Sequence, residues 1–141
     1  MKTYDFCLKW RKEGKSVISG FHSPMEKECL RILLQGTQPV IISPARGMWQ
    51  RTPKELKKHI DLGRLLIVSK FPSSVRRMST RTALERNLFV GGLAEQIFIS
   101  YAELGGKMEH LCKRWKTEGK QIITFESKYN TNLINMGVTI L

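Results

Sequence analysis

A chain of 141 residues in which 41% of side chains are apolar has room for one hydrophobic core and not for two. Its 24 lysines and arginines stand against 12 aspartates and glutamates. The resulting net charge of +12 attracts polyanions: nucleic acid, nucleotides or an acidic surface. No apolar run reaches the length of a membrane span, and residues 1–15 lack the apolar centre of a secretory signal. Three cysteines, without CxxC spacing, argue against a disulfide framework and a structural zinc site. The expectation is one cytoplasmic domain spanning 1–141, with buried thiols, no metal, no cofactor and no membrane contact.

In chain order, the first element is read by comparison with a later one. "CLKWRKEGKSVIS" (7–19) nearly duplicates "CKRWKTEGKQIIT" (112–124). Cys, Trp, Glu-Gly-Lys and an apolar run fall at the same offsets. This predicts the same helix-to-strand turn twice, with Trp10 and Trp115 packing helix on sheet and glycine taking the left-handed position past the helix end. A helix over 4–13 therefore feeds a strand over 16–19. Ser23-Pro24-Met25-Glu26 is a capping box opening a helix over 24–35, which Gly36 stops.

A strand over 39–43 runs into Ser43-Pro44-Ala45-Arg46-Gly47. A helix over 53–62 ends at Gly63, and a strand over 65–68 runs into Ser69-Lys70-Phe71. Residues 71–80, "FPSSVRRMST", predict a mobile loop. A helix over 79–94 follows, with Leu84, Leu88 and Leu93 on one side and Phe89 in the core. A strand over 96–100 leads through Gly105-Gly106 into a helix over 106–117. Strands over 121–125 and 138–141 complete the chain. Most strands are continuous Val/Ile/Leu runs, the pattern of strands buried on both faces. Alternation with helices predicts an α/β fold, a Rossmann-like three-layer sandwich with a mostly parallel sheet.

The capping box places a helix start just past the C-terminal end of a strand, where ligands bind in open α/β sheets and where the helix dipole favours anions. Ser19 and Gly20 precede it, and Gly20 leaves room for a close approach. The later strand ends carry small, hydroxyl or cationic residues on the same rim. Four converging loops predict a phosphate-binding surface that includes Ser23. Arg76, Arg77 and Arg81 form a basic strip beside it, with Arg86 in line and Phe71, Phe89 or Tyr101 as candidates for base stacking.

"SVISGFHSPMEKECLRIL", "PVIISPARGM", "GRLLIVSKFP", "ALERNLFVGGLAEQIFIS" and "GGKMEHLCKRWKTEGKQIITF" follow one another in an order that resembles the DprA/Smf DNA-processing family of the Rossmann-like SLOG superfamily. The resemblance covers about residues 16–125. It implies an extended Rossmann-like domain that binds single-stranded DNA or a nucleotide and hands DNA to a recombinase during DNA uptake. It also implies a pocket lined by Ser19, Gly20, Arg46, Arg86, Asn87, Gly105, Gly106 and Lys107. Removing Arg86 is expected to cost ligand affinity and leave stability near that of the parent.

Against the family pattern, the protein is expected to lack the family's first strand, with its Gly-Ser-Arg, and a C-terminal winged helix. The expected compensation is an edge covered by the C-terminal "GVTIL" or by a homodimer. "LERN" (84–87) and "GGKMEH" (105–110) also echo the related Lonely Guy phosphoribohydrolases. That alternative makes Arg86 and Glu109 catalytic residues of N-glycosidic cleavage, but its second motif is shortened and lacks Gly-Thr. Binding without chemistry is the preferred reading, and a role confined to protein contact is the third.

Overall fold

The computed structural model describes residues 3–141, which divide after Val90 into two compact units. The first contains α1 (Thr3–Glu13), β1 (Val17–Ser19), α2 (Pro24–Leu34), β2 (Val40–Ile42), α3 (Lys54–Asp61) and β3 (Leu65–Ile67). Helix α4 (Thr80–Leu93) runs across the boundary. The second unit contains β4 (Gln96–Phe98), α5 (Lys107–Thr117), β5 (Gln121–Thr124), a 3₁₀ turn (Lys128–Asn130), α6 (Thr131–Asn135) and β6 (Thr139–Ile140).

The fold is α/β and Rossmann-like, and every strand pair among the described residues is parallel. The strands are shared between two three-stranded sheets, ordered β1-β2-β3 and β4-β5-β6. Within each sheet, consecutive strands are neighbours, so each pair is joined by a crossover carrying a helix. In the first sheet Val17, Val40 and Leu65 lie in register. The C-terminal "GVTIL" pairs with β5, Ile123 opposite Thr139, and forms an edge of the second sheet.

The core of the first unit gathers Phe21, Leu33, Val40, Ile42 and Leu65, with Trp10, Leu56 and Ile60 packed against it. Burying each such side chain contributes about 1.5–3 kcal/mol. Cys7, Cys29 and Ile32 form a smaller cluster between α1 and α2. All three cysteines are free and buried. The Cys7 and Cys29 thiols hydrogen-bond to each other, which raises the first and lowers the second. Burial, helped by the nearby Glu109, pushes the Cys112 thiol up to about 11. Among the described residues no helix is long and apolar enough to cross a membrane.

The duplicated segment folds alike in both units. Gly14 (φ 73°) and Gly119 (φ 81°) both adopt the left-handed conformation that favours glycine. The N–H of Lys15 returns to the Trp10 carbonyl at 3.0 Å, and that of Lys120 to the Trp115 carbonyl at 2.9 Å. This is the bond pattern of a helix closed by a Schellman turn. The turn from 128 to 135 is absent from the expected elements. Its "KYNTNLIN" is short and polar, with no apolar period long enough to announce a helix.

Candidate functional site

The first unit assembles a polar cluster at the C-terminal ends of its strands. Ser23 is the N-cap of α2 with Pro24 next, and the capping box is complete. The Glu26 N–H donates to Ser23 Oγ at 3.2 Å, and the Ser23 N–H donates to Glu26 Oε2 at 3.0 Å. Ser19, at the end of β1, donates its hydroxyl to Glu26 Oε1 at 3.1 Å. The carboxylate of Glu26 therefore holds the position at the helix start where a bound anion was expected, and most of the orphan N–H groups there are already satisfied.

Arg86 reaches the same cluster from α4. Only 8% of it is exposed. Its Nη1 donates to the Ser43 carbonyl at 3.2 Å, at the end of β2, and its Nε donates to Asn87 Oδ1 at 2.8 Å. A Cβ built on Gly20 would lie 1.8 Å from that Nη1. Gly20 thus makes room for a side chain of this chain. Burial lowers the Arg86 pKa, and the charge of Glu26 opposes that effect. Burial also pushes Glu26 up, but bonds from Ser23 and Ser19 and the charge of Arg86 outweigh it and leave Glu26 below its ordinary value.

The expectation that removing Arg86 leaves stability near that of the parent does not fit this burial, because the side chain is wedged into the strand ends. Ser43 itself is fully buried, and its Oγ has no hydrogen-bond partner.

The other predicted residues of this unit lie on neighbouring loops. Arg46 is half-buried, donates from Nε to the Gly47 carbonyl at 3.3 Å and stands 6.0 Å from the Trp49 ring centroid. The segment 71–80 has no helix or strand before Thr80, yet it is tied down. The Gly47 N–H donates to the Val75 carbonyl at 2.7 Å, and Ser69 Oγ accepts from the Phe71 N–H at 3.1 Å. Arg76, Arg77 and Arg81 are exposed. Arg81 and Lys70 both approach the Glu85 carboxylate, at 3.6 and 3.8 Å. Of the three aromatic candidates for stacking, Tyr101 is exposed, whereas Phe71 and Phe89 are half-buried.

In the second unit Gly105 (φ 71°) turns the chain into Gly106, the N-cap of α5, which offers no side-chain cap. Lys107 is the exposed first residue of that helix. Glu109, three residues past the cap, is 4% exposed. It accepts from Asn132 Nδ2, and its Oε1 lies 3.2 Å from Lys113 Nζ. The Asn132 bond, then Lys113 and the Gly105 N–H, hold its carboxyl below the ordinary range. Both oxygens of the carboxylate proposed for the hydrolase alternative are thus committed to α5 and α6.

Two asparagines that sequence reasoning missed fasten the loop after β4. Asn132 Nδ2 also donates to the Ala102 carbonyl at 3.0 Å. Asn130 Nδ2 donates to the Ser100 carbonyl and to Thr124 Oγ1, each at 3.0 Å.

No family model and no curated protein matches the sequence. The fold is similar to that of two solved structures. One is DNA processing protein A (DprA) from Streptococcus pneumoniae, with TM-score 0.74 and 16% identity over 100% of this chain and 54% of that one. The other is DprA from Helicobacter pylori, reported for its unique single-stranded DNA binding mode, with TM-score 0.74 and 16% identity over 98% of this chain and 66% of that one. The chain spans about half to two thirds of the length of these proteins.

Proposed function

We propose that this chain is a DprA-like binder of single-stranded DNA, acting in DNA processing or uptake. The support is the likeness along the whole chain to two DprA structures, one of them reported with a single-stranded DNA binding mode. A net charge of +12 supplies the sequence-independent attraction such binding needs. In this reading residues 1–141 act as one domain of the cytoplasm. Ser19, Gly20, Ser23, Arg46, Arg86 and Asn87 belong to the binding surface of the first unit and Gly105, Gly106 and Lys107 to that of the second, while Arg76, Arg77 and Arg81 track the backbone.

The contributions of these residues differ. Arg86 and Glu26 set the shape of the strand ends, because they are already engaged with Ser43, Asn87, Ser19 and Ser23. The exposed cations meet phosphates. Homodimerisation and delivery to a recombinase belong to the same proposal. Light scattering tests the dimer, and a monomer mass at micromolar concentration overturns it.

Fluorescence anisotropy of a labelled oligo-dT at two salt concentrations tests the DNA reading. Affinity is expected to fall with a log–log slope of about −0.7 for each phosphate neutralised. No binding even at low salt overturns it.

A further inference from the structure

Base recognition by single-strand binders needs an exposed aromatic face. Tyr129 offers one on an anchored backbone. It is 67% exposed, although it sits in a 3₁₀ turn whose every neighbour is tied down. Its N–H donates to Ser127 Oγ at 3.2 Å, and the next N–H, of Asn130, donates to the Ser127 carbonyl at 3.0 Å. Thr131 Oγ1 donates to the Lys128 carbonyl at 2.9 Å. Asn130 is 1% exposed and grips Ser100, Thr124 and Phe125 at the ends of β4 and β5.

The Asn130–Ser100 bond sets the turn directly beside a second exposed aromatic. Tyr101 follows Ser100 and is 56% exposed. Lys128 places its ammonium 5.1 Å from the Tyr129 ring centroid, a cation beside an aromatic face. A lone exposed tyrosine calls for no explanation. Two on one sheet rim, joined through one part-buried hydrogen bond and flanked by a lysine, suit stacked bases with a phosphate contact alongside.

We propose that Tyr129 is a base-stacking post of the second unit, taking a base of single-stranded nucleic acid beside Tyr101 while Lys128 meets the adjoining phosphate. The assignment rests on the single-strand-binding reading above and names a subsite for it. The anchored backbone matters because a turn that is already ordered loses little freedom on binding.

The test uses the whole chain and labelled oligo-dT, with an otherwise identical strand carrying abasic sugars as control. Tyr129→Ala is expected to weaken oligo-dT binding about 5- to 150-fold, the range for losing one stacked base. Tyr129→Phe keeps the ring and is expected to bind like the parent. On the abasic strand the parent and Tyr129→Ala are expected to bind equally. The ring is exposed, so thermal melting of Tyr129→Ala should match the parent, and that control separates lost stacking from lost folding. Salt-sensitive binding of oligo-dT that Tyr129→Ala leaves unchanged overturns the stacking post and leaves the DNA reading standing. An equal loss on the abasic strand also overturns it. Absence of any binding by the parent overturns both.

Discussion

Each unit starts a helix with a glutamate three residues past the cap, and the two carboxylates end in different company. Glu26 turns to the strand ends, where two serine hydroxyls and the charge of Arg86 surround it. Glu109 turns along its own helix to Lys113 and across to Asn132 on α6. The local sequence rule is the same, and the neighbours decide what the carboxylate does. In the first unit it neutralises the place where a ligand anion was expected. In the second it braces the helix that follows, and the uncapped Gly106 and exposed Lys107 are left at the rim.

Glycines separate the units by the stiffness of what they admit. A Cβ on Gly91 would lie 2.4–2.5 Å from ring atoms of Trp115, which is 3% exposed. A Cβ on Gly20 would meet the end of Arg86, a longer and more flexible side chain. Gly91→Ala is therefore expected to cost more stability than Gly20→Ala. Overpacking costs about 1–3 kcal/mol, against about 1 kcal/mol regained in helix propensity. A lower urea midpoint with an unchanged slope checks it. A variant as stable as the parent would mean that Trp115 can move and that the second unit is the softer one.

Gly20→Ala should cost less, and its cost should depend on Arg86. Arg86→Ala alone is expected to destabilise by about 1–3 kcal/mol, because it removes the donors to Ser43 and Asn87. It also leaves Glu26 without the cation nearby. With Arg86 gone, the space above Gly20 is open, so adding Gly20→Ala should cost little more. Urea melts of both single variants and the double variant measure the coupling. Strict additivity would show that the guanidinium does not occupy the position above Gly20 in solution.

Much of this organisation is legible in the sequence. Aliphatic residues at 40–42 and 122–123 mark buried parallel strands, Ser23 to Glu26 spell out the capping box, and the Trp–Glu-Gly-Lys duplication marks equivalent turns. Three features are not legible. The period of an apolar run says which faces are buried but not which strand is its neighbour, so two sheets of three could not be told from one. An arginine amid polar helix residues reads as surface, and its burial depends on Gly20 lying 66 positions earlier in the chain. Asparagine-rich "KYNTNLIN" reads as loop because the value of Asn130 and Asn132 lies in carbonyls supplied by Ser100 and Ala102.

Acid should probe both carboxylates. Glu26 and Glu109 each titrate below their ordinary value near 4.5. Their contributions to stability are therefore present above that value and are lost as pH falls through the lower folded values. Thermal melting followed from about pH 5 to pH 3 should show the parent losing stability more steeply than Glu26→Gln or Glu109→Gln. Equal slopes for Glu109→Gln and the parent would place the bracing of α6 on the amide of Asn132 alone. Equal slopes for Glu26→Gln would remove the internal anion from the first unit's rim.

The smallest effect on stability is expected where the charge is freest. Arg76 and Arg77 are exposed and make no ion pair among the described residues, whereas many other cations already serve the fold. Arg11 and Arg64 donate to carbonyls at the end of α2, and Lys116 and Lys120 donate to carbonyls of the second unit. Replacing Arg76 and Arg77 by alanine should leave stability within about 0.5 kcal/mol of the parent. If each meets one phosphate, the log–log salt slope for oligo-dT binding becomes shallower by about 0.7 per arginine removed. Anisotropy titrations at several salt concentrations read that slope directly. An unchanged slope would mean that the loop of the first unit stays clear of the strand. The electrostatic work would then fall to other exposed cations such as Lys107 and Lys128, and phosphate contact would move to the same unit as the tyrosines.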